Sequence, residues 1–193
     1  DGTLVGTLRT FDGGDMASAP EFFRVGMETT LPGRYSTVDF YGKGPYETYS
    51  DRQSSARTGH YVQSVAEQYH YGYVHPQESG THVGLKWFRL TDDSGYGLEI
   101  TSPAQFSASA LPFTRQDLTD FSSPFASEEL SSVSSRYSHS EELRPAAHEA
   151  DRSRGVTHLN FDLVQRGLGC IDSFGSLPRP EYRIPADAYT FEF

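Results

Sequence analysis

Apolar and polar positions alternate with a period of two through most of the chain. In EFFRVGMETTL, Phe23, Val25, Met27, Thr29 and Leu31 fall on one face, the pattern of a half-buried strand and not of a helix. THVGLKWFRL places Val83, Leu85 and Trp87 on one side. TDDSG, from Thr91 to Gly95, then supplies turn residues before YGLEIT resumes the strand, so the segment predicts a β-hairpin. QFSASAL and HLNFDLV alternate again, with Phe106, Ala108 and Ala110, then Leu159, Phe161 and Leu163. The chain closes on YTFEF, a further strand.

Helical signal is confined to about Thr114 to Asp151. TRQDL has the Thr-x-x-Asp form of a capping box. SEEL, at Ser127 and again at Ser140, puts carboxylates where a helix N-terminus favours them. SSVSSRYSHS lies between, rich in serine, so the region reads as short helices joined by a solvated loop. No internal repeat occurs. The expected fold is all-β, an antiparallel sandwich with one short helical excursion.

Composition sharpens this picture. A length of 193 residues suits one large domain or two small ones. The apolar share of 36% is low, but 13 Phe and 12 Tyr supply large side chains for a core. The net charge of −10, with 16 basic against 26 acidic residues, argues against binding to nucleic acid or anionic membranes. Cys170 stands alone, which excludes an intramolecular disulfide and a cysteine-based metal site and agrees with a cytoplasmic setting. No apolar run approaches the ~18–20 residues of a membrane helix, and no signal segment opens the chain. The first residues already read as strand and turn, the expectation for a piece of a longer protein or a mature form.

The stretch FYGKGPYETYSDR combines several unusual positions. Val38 and Phe40 make a strand face that Gly42, Gly44 and Pro45 are expected to end, since glycine tolerates unusual φ and proline cannot donate to a ladder. Tyr46 and Tyr49 can fold back over that break. Glu47, Asp51 and Arg52, and Glu78 in PQESG, are expected to lock loops by carboxylate–guanidinium pairing. His60, His70, His75 and His82 are scattered over strand-like segments without convergence, and read as surface or loop histidines. GLGCIDSFG lacks the following helix that a phosphate loop needs.

The pattern aromatic-x-G-x-G-P-x-E-x-Y-x-D-R resembles the C-terminal domain of glycoside hydrolase family 2 β-galactosidases of the LacZ type. YHYGYVHPQESGTHVGLKWFRLTDDSGYGLEI, with Pro76, Gln77 and Glu78, is similar to that family's next block and its Trp-bearing strand. FSASAL, YSHSEELRPAAH, HLNFDLVQRGLGCIDSFG and PEYRIPADAYTFEF follow in the same order, so the likeness covers most of the chain, 1–193 forming one domain. Two departures stand out. The family's domain is larger, so the chain is expected to begin partway through it, and about 111–136 reads as an insertion.

The resemblance implies a supersandwich like that of galactose mutarotase, here a partial one, whose free strand edges would recruit another copy into a homo-oligomer. It implies a parent enzyme that hydrolyses terminal β-D-galactose, with two catalytic glutamates in a barrel absent from this chain. Mg²⁺ and Na⁺ would lie in other domains, with no cofactor in this one. In the family, the loop after GLG carries an Asp-Ser-Trp that reaches the substrate pocket. Asp172, Ser173 and Phe174 match it, Phe174 keeping an apolar face for the sugar but losing the indole N–H. Two other readings remain at this point. One is a free-standing carbohydrate-binding sandwich. The other is an aldose mutarotase with His75 and Glu78 as acid and base.

Overall fold

The computed structural model describes residues 2–10, 21–70, 78–115, 155–169 and 176–193. Eight strands account for most of the regular structure: β1 (Thr7–Arg9), β2 (Arg24–Pro32), β3 (Thr37–Gly44), β4 (Arg57–Ser64), β5 (His82–Thr91), β6 (Gly97–Leu111), β7 (Val156–Gln165) and β8 (Thr190–Glu192). Six form one antiparallel sheet in the order β2-β7-β6-β5-β3-β4, and β1 pairs with β8 in a second. The fold is all-β, as the alternation predicts. The helical excursion and the proposed insertion lie almost wholly outside the described residues.

The core occupies one face of the large sheet. Val38, Phe40, Leu85, Phe88, Leu90, Phe106, Ala108, Ala110 and Leu159 pack there in one cluster, closed by Phe191 from β8. Phe193 stacks edge-on against Phe161 at 5.0 Å and lies 5.2 Å from Phe191, so the short β1–β8 ribbon covers the sheet as a second layer. Each fully buried Phe contributes about 1.5–3 kcal/mol, so aromatics offset the low aliphatic content.

Strict alternation fails in β5, and the structure corrects the face assigned from sequence. Leu85 is buried, but Trp87 is only half-buried, while Phe88 and Leu90 turn inward. Register shifts on both sides of Leu85 cause the switch. Leu85 opposes Phe106 whereas Trp87 opposes Thr101, so β6 carries extra residues around Pro103. A proline has no ladder donor and is tolerated in such a bulge. Gly84 takes φ +68°, a left-handed conformation glycine adopts freely. Trp87 therefore lies on the outer face in a row with Tyr41 and His60, flanked by Arg89 at 4.6 Å and the His60 ring at 5.4 Å.

β2 forms, but its predicted face is less covered than the pattern suggests. Val25 is buried, Leu31 is half-buried, and Met27 is 41% exposed, because β2 is an outermost strand of the sheet. The hairpin at Thr91 to Gly95 matches its prediction. Asp92 accepts N–H bonds from Ser94 (2.9 Å) and Tyr96 (3.1 Å), and Gly95 takes φ +80°.

Candidate functional site

The loop 45–52 meets two distant segments at one corner of the sheet. β3 ends at Gly44, within the break at Gly42, Gly44 and Pro45 expected from sequence, and a cis peptide follows to Pro45. Gly42 serves a close approach, since a Cβ there would lie 2.6 Å from Leu85 Cδ2. Tyr46 points outward, 75% exposed, and only Tyr49 is enclosed. Tyr49 and Arg52 exchange backbone hydrogen bonds of 3.2 and 2.9 Å that close a tight turn.

Among the described residues, the acidic residues of this loop accept backbone N–H bonds. Glu47 Oε2 accepts the Gly80 N–H at 2.8 Å and the Tyr49 hydroxyl at 3.2 Å. The Thr48 N–H donates to the Thr81 carbonyl (2.6 Å), and the Val83 N–H donates to Thr48 Oγ1 (2.9 Å). Glu47 and Thr48 thus tie the loop to the segment that opens β5. Asp51 reaches the other way. Its Oδ1 accepts the Leu168 N–H at 3.1 Å and its Oδ2 the Gly169 N–H at 2.8 Å. Bonds to an ionised acceptor are shorter and stronger than neutral ones.

A second cluster sits beside this corner. Arg24 of β2 lies 2.8 Å from Glu78 and 2.9 Å from Asp162 of β7, and Gln165 donates to Glu78 at 3.2 Å. Arg115 approaches Glu78 at 3.6 Å. The Glu78 and Asp162 side chains are 8% and 3% exposed. Burial raises the pKa of both carboxyls; Arg24 pulls the other way, and Asp162 still rises to about 6. The guanidinium groups of Arg24, Arg115 and Arg166 stand 5.8, 5.8 and 5.0 Å from the Phe23 ring centroid. The sequence reading placed Glu78 in an arginine pair, as found, but missed Arg24 and Asp162. Asp162 had one local signal, a carboxylate inside the alternation of HLNFDLV.

His82 departs from its predicted surface role. It is 1% exposed, 4.2 Å from the Phe40 ring, with Nε2 2.7 Å from Gln68 Oε1 and Nδ1 3.2 Å from the Lys43 carbonyl. Burial lowers its pKa to about 4, the Lys43 carbonyl opposing. A neutral ring carries one N–H, so His82 can donate only one of the two contacts. His60 and His70 are exposed as expected, and His60 pairs with Asp39 at 2.6 Å.

Comparison with known proteins decides the family. The description "Beta galactosidase small chain" matches residues 6–193. The chain belongs to the β-galactosidase small-chain family. Beta-galactosidase BgaC of Bifidobacterium adolescentis is 33% identical over 174 residues, covering 90% of this chain and 14% of that protein. The beta-galactosidase of Priestia megaterium is 31% identical over 175 residues, again 90% of this chain and 14% of the relative. That of Kluyveromyces lactis is 29% identical over 175 residues. The chain therefore spans about 14% of the length of these curated relatives.

Within this small chain, Asp172, Ser173 and Phe174 lie outside the described residues, as do Pro76, Gln77, His75 and Cys170. The residues that bracket 170–175 are described, and Asp51 holds one side of them. Among the described residues no three His, Cys, Asp or Glu side chains gather as a metal site, and no helix is long and apolar enough to cross a membrane.

Proposed function

We propose that this small chain is part of a retaining β-galactosidase that hydrolyses terminal non-reducing β-D-galactose residues. Its two catalytic glutamates, roughly 5–5.5 Å apart in such enzymes, would be supplied by a barrel domain outside this chain. The family match over residues 6–193 carries the reading. The state of the buried carboxyls supports it. Glu78 and Asp162 are enclosed and engaged by Arg24, so neither is presented to a sugar as a free acid or base. The same enclosure speaks against Glu78 as half of a mutarotase pair.

The chain's contribution is pocket shape and assembly. Phe174, with Asp172 and Ser173, offers an apolar face for the C–H side of a galactoside, since stacking removes apolar area from water. The outermost strands β2 and β4 are the edges at which other parts of the parent, or a second copy, would pair.

The test is direct. The isolated chain should leave lactose and an aryl β-galactoside uncleaved, and the complete reading frame should encode a barrel and cleave both. Cleavage by the isolated chain, or a complete protein without galactosidase activity, overturns the proposal.

A further inference from the structure

We infer that Arg166, with Arg24 and Arg115 arrayed beside it around the Phe23 ring, forms a binding site for a monoanionic carboxylate. The site is independent of any glycosidase chemistry.

The fold brings these groups together at the end of the β2–β7 ladder. Arg24 stands opposite Gln165, and one step further the Arg166 N–H donates to the Phe23 carbonyl at 2.8 Å. The next amide, Gly167, donates to the Tyr182 carbonyl at 2.8 Å, so the backbone that carries Arg166 is fixed. The guanidinium groups of Arg166, Arg24 and Arg115 then lie 5.0, 5.8 and 5.8 Å from the Phe23 ring centroid. The ring attracts each cation, but three like charges around it repel one another.

The carboxyls present do not balance the three cations. Arg24 takes both Glu78 and Asp162, at 2.8 and 2.9 Å, and Arg115 approaches Glu78 at 3.6 Å. The Arg166 guanidinium has the Phe23 ring and no ionic or hydrogen-bonding partner among the described residues; its Nε is buried and unpaired. With the Nε edge closed, the two terminal nitrogens of this half-buried side chain are the open end of the fork.

That surplus of one positive charge, in a chain of net charge −10, selects the ligand. Two parallel N–H donors match the two oxygens of a carboxylate. Chloride would answer the charge but not the fork. A dianion such as phosphate would set a second negative charge beside the buried Glu78 and Asp162, where screening is weak. The carboxylate can come from either of two sources: a soluble organic acid, or an Asp or Glu side chain from the rest of the parent, since this chain spans about 14% of the length of its relatives.

The experiment reads access to Arg166. Phenylglyoxal, which modifies accessible guanidinium groups, is applied to the complete protein and to the 193-residue chain, and its reaction at Arg166 is followed by peptide mass spectrometry in acetate, chloride or phosphate at equal ionic strength. For a soluble ligand, Arg166 reacts in both proteins, and acetate at ten times its Kd slows the reaction about tenfold, the fraction of site left free, while chloride and phosphate do not. For a side chain of the parent, Arg166 reacts only in the chain, and acetate protects it there in the same way. Arg166→Lys keeps the charge but loses the fork, so the rise in Tm that acetate gives over chloride should need about tenfold more acetate, the loss of one charge-assisted hydrogen bond. The modification rates use the unaltered protein, so they decide the matter even if that variant fails to fold. Equal rates in acetate and chloride, protection by phosphate equal to that by acetate, an Arg166 that reacts in neither protein, or an unchanged acetate response in Arg166→Lys overturns the inference.

Discussion

Gly26 of β2 stands directly opposite Asp162 of β7, and its missing side chain leaves the space in which that buried carboxylate meets Arg24 at 2.9 Å. A Cβ on Gly26 would lie 2.5 Å from Asp162 Cα and 2.5 Å from the Phe161 carbonyl oxygen, with Asp162 Oδ1 closer still. Backbone cannot yield as a flexible side chain can. Gly26→Ala should destabilise the chain by roughly 1–3 kcal/mol, the range for overpacking. Urea unfolding checks this, and an unchanged midpoint would contradict the packing described.

Arg24→Met removes the cation shared by two buried carboxyls. Breaking a buried pair in this way costs roughly 3–5 kcal/mol, since uncompensated charge is left behind. The loss at pH 7 should shrink at pH 5, because Asp162, already raised to about 6, then takes up a proton. A loss that stays constant across that range would show that charge is not its source.

His82 and Asp162 bias stability in opposite directions with pH. The folded pKa of His82, about 4, is below its ordinary 6.5, so its contribution is full above pH 6.5 and fades as pH falls toward 4. That of Asp162, about 6, is above its ordinary 3.8, so its contribution is full below 3.8 and fades as pH rises through 6. Between pH 4 and 6 the two slopes nearly offset. Relative to the parent chain, His82→Asn should therefore gain stability as pH is lowered from 6.5 to 4, by on the order of 3 kcal/mol. Denaturant midpoints of both proteins across that range decide it; a pH-independent difference would mean His82 is not held neutral.

The face switch in β5 has its own test. Phe88 is fully buried, so Phe88→Ala should cost about 3–5 kcal/mol. Trp87 lies half-buried on the outer face between Arg89 and His60, and Trp87→Ala should cost well below that. Equal losses would restore the regular alternation that the register shifts exclude.

The strands were legible because alternation is a local property. β2, β5, β6, β7 and β8 were all predicted from side-chain period alone, and the Thr91 to Gly95 turn from its residue types. The partners of the polar groups were not. Asp51 finds Leu168 and Gly169, and Glu78 finds Arg24 and Gln165, through strand neighbours that no local window contains. The burial of His82 was hidden for the same reason: it depends on Phe40 and Gln68 packing over one end of β5.

The amino-acid sequence by itself determined that this chain is all-β, acidic and of the β-galactosidase small-chain family, because period, composition and ordered motifs are carried by residues near one another in the chain. Only the tertiary structure decided which face of β5 is inner, which carboxyls are buried against Arg24, and that Asp51 accepts the Leu168 and Gly169 N–H groups. Those outcomes depend on bulges that shift register and on contacts across more than a hundred residues, and such contacts exist only once the sheet has formed.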